Sequence, residues 1–157
     1  MKIILTAVLV LGIVVLIAPA CSKKKGCMDP YSNNYDSKAE EDDGSCTYTA
    51  GTGGNVTIVA KPQHHGVPIV SDSSYVDSAY VKFNTSNSPG SNVSNYDLVI
   101  AGEAGEDHVH IPQLKRGKYF IFMAGWDHMI SQRVTGGIPY EVTQTSGEID
   151  LAVPVSE

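Results

Sequence analysis

The side chains able to hold a metal or move a proton fall into three sets. All five histidines lie between residues 64 and 128: His64, His65, His108, His110 and His128. His108 and His110 are two apart, so on a strand both imidazoles point to one face, opposite Val109 and Ile111 and toward solvent. His64 and His65 precede Gly66 in a loop, and His128 follows Asp127. A His-x-His pair with one further loop histidine is a donor set for Zn²⁺ or Cu²⁺. Glu106, Asp107 or Asp127 would supply a fourth ligand or an orienting partner. The plainer reading is a group of exposed polar residues, since no His-Glu-x-x-His run is present.

The second set is acidic. Asp29, Asn34, Asp36, Asp42 and Asp43, with Gly44 to permit a sharp turn, offer the hard oxygen donors that Ca²⁺ takes. The spacing is not that of an EF-hand, and the alternative is a solvated acidic loop. The third set is three cysteines, Cys21, Cys27 and Cys46. Calcium or a transition metal are thus the cofactors these residues admit, and neither is required by them. Nothing here pairs a nucleophile with a base at a catalytic spacing, and no Gly-x-Ser-x-Gly elbow occurs. A hydrolase is therefore a remote alternative, and no enzyme is expected. Trp126 offers a handle for a carbohydrate ring or a side chain for core packing.

These groups need elements to position them. The chain has 157 residues with 42% apolar and 18% charged side chains, enough to bury one core. Eleven basic against 17 acidic residues leave a net charge of −6, the wrong sign for a nucleic-acid partner. Residues 1–20 read as an export signal: Lys2 supplies charge, Ile3 to Ile17 is an apolar run too short to span a bilayer, and Ala18-Pro19-Ala20 ends it with small residues. Removing them takes away only one charge, Lys2, and leaves −7.

Small residues just before Cys21 resemble the lipobox of bacterial lipoproteins, in which the cysteine becomes the first mature residue and carries acyl chains such as palmitate. Where that family favours Leu three residues before the cysteine, this chain has Ala18, and Ala18-Pro19-Ala20 also fits the Ala-x-Ala cut of an ordinary signal. The odd number of cysteines favours lipidation, because an acylated Cys21 leaves one pair, Cys27 and Cys46. In an oxidising compartment that pair should bridge. Residues 21–25 then form a lipidated tether. Its three lysines either attract anionic lipid or serve as a solvated spacer.

Residues 26–48 have no apolar periodicity and cannot build a core, so a disulfide would be what gives them shape. The stretch resembles a short module found, often repeated, in secreted and surface-attached bacterial proteins. The resemblance rests on Cys27, Asp29, Pro30, Asn34, Tyr35, Ala39 and the run Asp42-Asp43-Gly44-Ser45-Cys46, with Met28 and Ser32 departing from the pattern. It implies an extracytoplasmic place and a paired disulfide, and no reaction. Residues 49–54 carry no bulky side chain and read as a flexible linker.

From residue 55 to 157 the period is two. Val56, Ile58 and Ala60 alternate with polar or smaller neighbours, as do Ala79, Val81 and Phe83, Val109 and Ile111, and Ile149, Leu151 and Val153. Tyr119 to Ala124 is apolar on both faces and reads as a central strand. Asp97–Ala101, Ile130–Thr135 and Pro139–Thr143 are shorter candidates. Turns are expected at Ser88-Pro89-Gly90, Gly102, Arg116-Gly117, Gly136-Gly137 and Ser146-Gly147. The fold class is all-β, an antiparallel sandwich of about seven strands. Leu114, Gly117 and Tyr119, with Gly125 beyond, are similar to the Leu-x-x-Gly-x-Tyr corner of carboxypeptidase-regulatory-like and transthyretin-like sandwiches. That resemblance implies an accessory or binding module. The whole reads as a lipoprotein of the bacterial outer membrane or cell envelope, facing the periplasm or the surface. Its partners would be the membrane, through its lipid, and an envelope protein or glycan.

Overall fold

The computed structural model describes residues 22–157; the expected export signal at residues 1–20 and the expected lipidation site, Cys21, lie outside the described residues. Among the described residues the chain is all-β, with one short 3₁₀ turn at Val93–Asn95 and no α-helix. Two large sheets enclose the core. The first is built on β3 (Thr52–His64), flanked by β10 (Ser146–Val155) on one side and by β7 (Val109–Leu114) and the short β4 (Val67–Pro68) on the other. The second has the order β6 (Leu98–Ala101), β5 (Ser78–Phe83), β8 (Gly117–Asp127), β9 (Gln132–Val142). Neighbours are antiparallel except β10, which runs parallel to β3 from Ser146↔Asn55 to Val155↔His64.

Alternation decides which side chains meet inside. Val56, Ile58 and Ala60 of β3 share one buried cluster with Leu151 and Val153 of the neighbouring β10 and with Val81 of β5 and Ile121 and Met123 of β8 in the other sheet. β8 is the central strand expected from its two apolar faces. Its outward Phe120 and Phe122 are covered by Tyr80 and by Tyr96 from the β5–β6 connection. Tyr119 closes the corner between β7 and β8. Its hydroxyl donates to the Lys115 carbonyl at 2.7 Å and accepts the Gly51 N–H at 3.1 Å.

Three local readings change. Gly136-Gly137 is not a turn but the middle of β9, which runs unbroken across the two expected strands. A Cβ on Gly136 would lie 2.2 Å from the Pro154 carbonyl oxygen, and one on Gly137 would lie 2.7 Å from that of Ile121. The glycines are there for close backbone approach. Ser146-Gly147 likewise opens β10 instead of turning. Residues 49–54 are also not a free linker. Ala50 is buried, its N–H bonds to the Asn84 side chain at 2.7 Å, and Thr52 already belongs to β3.

The N-terminal module is held by the Cys27–Cys46 disulfide and by a parallel pairing of β1 (Lys25–Gly26) with β2 (Glu41–Asp42). It docks on the β7–β8 corner. Asp29 pairs with Arg116, and the Arg116 guanidinium lies 4.1 Å from the centre of the Tyr48 ring.

Candidate functional site

The two ends of the sandwich differ. The module sits at the end where β3 and β8 begin. β3 then runs 13 residues to His64, about 40 Å of extended chain. At that far end lies a cleft of about 420 Å³ lined by the residues of the β3–β4 hairpin, by Glu157, and by Trp126 to Ile130.

His64 occupies a core-facing position at the last residue of β3 and is only 6% exposed. Buried polar rings need partners, and both its nitrogens have one. Nδ1 lies 2.7 Å from Asp127 Oδ2 at the end of β8, and Nε2 lies 2.9 Å from Glu157 Oε2 beyond β10. The bond to Asp127 raises the affinity of the imidazole for a proton above its ordinary value. Burial opposes this, and Glu157 adds to it. Asp127 is lowered by His64 and by the Met129 N–H, and Glu157 by its own N–H and then by His64.

His65 and Gly66 are the two central residues of the β3–β4 hairpin, with φ of 49° and 81°. Positive φ at both positions is the type I′ pattern. Strand alternation would send adjacent side chains to opposite faces. The left-handed His65 instead brings its ring to 4.2 Å from that of His64. His64, His65 and Glu157 can each bring a ligand atom to within 4.8 Å of the other two. His128 lines the same cleft and pairs with Asp72 at 3.1 Å. The cleft is rimmed by exposed apolar side chains: Val67 is 57% and Met129 89% exposed, with Val70 and Ile130 beside them.

The other two histidines are elsewhere. His110 is opposite Val59 of β3, and His108 stands just before β7. Their Nε2 atoms face each other at 3.0 Å, while His108 Nδ1 meets Asp107 at 2.9 Å and Glu106 at 3.6 Å. Asp107 is lowered chiefly by that bond to His108. The expected same-face pair is present, lining a cleft with Glu103 and Gly102 that is separate from the His64 cleft. The five histidines thus line two places, not one.

The acidic-loop oxygens are employed locally. Asp29 accepts from Tyr31 N–H and the Tyr48 hydroxyl, and pairs with Arg116. Asn34 bridges Ser45 and Thr47. Asp36 takes Lys24 and the Lys38 N–H, while Asp42 and Asp43 cap the turn at Gly44 and Ser45. Among the described residues, the close groups of metal-ligating side chains are His64–His65–Glu157 and Glu106–Asp107–His108, and neither includes this loop.

Sequence reasoning missed Glu157 as a member of the His64 group, and also Asp77. The Asp77 carboxyl is fully enclosed against Gly125 with no hydrogen-bond partner for either oxygen among the described residues. Burial pushes its pKa up to about 6, although the Ser71 hydroxyl and Trp126 N–H lie nearby and draw it down. An acid within an otherwise apolar–polar alternation was the available signal. Comparison with known protein families, curated proteins and solved structures returns no match.

Proposed function

We propose that this chain is an exported bacterial lipoprotein, anchored by acyl chains on Cys21, that works as a non-catalytic binding module of the cell envelope. The observation that carries the reading is the placement of the exposed Val67, Val70, Met129 and Ile130 around one cleft at the end remote from the module. Contiguous apolar surface of this kind marks a binding site. A tether entering through Lys24 and the disulfide-closed module leaves that cleft facing away from the membrane. The module's resemblance to those of surface-attached proteins and its bridged cysteines agree with an extracytoplasmic place. The partner is an envelope protein or glycan that covers the apolar rim.

The test is co-sedimentation of purified Cys21→Ala protein, free of lipid, with washed envelope fragments. Binding should saturate, and Val67→Asp/Met129→Asp should weaken it at least tenfold. Absence of binding by the parent protein, or equal binding by the charged variant, would contradict the reading.

A further inference from the structure

We propose that the floor of the far cleft is a binding site for Zn²⁺ or a similar divalent transition metal, held by His64 Nε2, His65 and Glu157. The inference deepens the binding-module reading by naming what the same cleft holds, and it rests on that reading only for the site's role.

Three observations converge. The ligand atoms come from two distant segments, and the parallel β3–β10 pairing brings Glu157 beside His64. The type I′ turn places His65 on the same side as His64, in a backbone region that a histidine occupies only at some cost. Asp127 holds His64 Nδ1 at 2.7 Å, the carboxylate–histidine arrangement that fixes the tautomer and leaves Nε2 for a metal. Two imidazoles and a carboxylate suit Zn²⁺, which leaves a further position open to the cleft.

The distances are compatible. Ligand atoms around tetrahedral Zn²⁺ are roughly 3.3 Å apart for bonds of about 2.0–2.1 Å. His64 Nε2 and Glu157 Oε2 stand at 2.9 Å, and all three ligand atoms lie within 4.8 Å. His65 and Glu157 are exposed and free to close the difference, whereas His64 is fixed by its burial. Metal at this point takes the place of the hydrogen bond between His64 Nε2 and Glu157.

The His108–His110 pair shares one of these features, since Asp107 holds His108 Nδ1 at 2.9 Å, but among the described residues no third metal-ligating side chain gathers with its two facing Nε2 atoms.

The experiment is calorimetric titration of full-length Cys21→Ala protein with Zn²⁺ at mildly alkaline pH, where free imidazoles are neutral. One Zn²⁺ per chain should bind. His65→Ala and Glu157→Gln should each weaken binding about tenfold or more, and should lose the rise in melting temperature that Zn²⁺ gives the parent, each variant being compared with its own metal-free state. His108→Ala/His110→Ala should bind as the parent does. No binding by the parent, or binding lost only in the His108/His110 variant, would overturn the proposal. Either result leaves the envelope co-sedimentation experiment to be judged separately.

Discussion

Asp77 ties stability to pH at the scale of one residue. Its carboxyl titrates near 3.8 when exposed and at about 6 in the fold, because burial disfavours the charged form. Between those values the folded state holds a proton that the unfolded chain has lost, so stability falls as pH rises through the window. Above it the full penalty stands, about 3 kcal/mol at 1.36 kcal/mol per unit. Asp77→Asn removes the ionisation while keeping the shape. Its stability relative to the parent should rise by about 3 kcal/mol between acid and neutral pH in urea unfolding curves. A difference that does not change with pH would show that Asp77 titrates in the fold as it does in the unfolded chain, its carboxylate solvated. At this scale the histidines were half legible. Period two put His108 and His110 on one face. It could not bring His65 beside His64, which depends on a positive φ, nor supply Glu157, which arrives from 93 residues away.

Among the elements, β9 shows both what alternation reveals and what it hides. The strand candidates Ile130–Thr135 and Pro139–Thr143 stand on either side of a Gly-Gly pair, and glycine pairs are strong turn signals in isolation. The reason for them is tertiary. β10 crosses close to β9 at this point, and the Thr135 and Ser156 backbones exchange hydrogen bonds at 2.7 and 2.9 Å. No local pattern encodes that approach. Gly136→Ala must push apart backbone atoms of Pro154 and Val155, not a flexible side chain. It should destabilise the protein by about 2–3 kcal/mol, the scale of overpacking. A loss below about 0.5 kcal/mol in equilibrium unfolding would mean the strands separate freely. The central place of β8, by contrast, was legible from Tyr119 to Ala124, because a strand apolar on both faces has only the inside of a sheet to occupy, although the strand itself runs from Gly117 to Asp127.

For the molecule as a whole, the sandwich and the bridged module could be read from strand spacing and cysteine arithmetic, whereas their junction could not. Small residues at 49–54 look like slack chain. Here they are small because Ala50 packs within 3 Å of where a Cβ on Gly117 would be, and because Gly54 lies against the Leu114 carbonyl. The module is therefore continuous with the sandwich through Ala50, Tyr119 and Arg116, and the cleft is held at a fixed end of the molecule. That geometry matters only if the opposite end is tied to a membrane. The most direct test is the intact mass of the mature protein purified from cells that produce it. The account predicts a chain beginning at Cys21, heavier by two or three acyl groups, and lighter by two hydrogens for the Cys27–Cys46 bridge. A mature chain that begins elsewhere, or a Cys21 that bears no lipid, would contradict it.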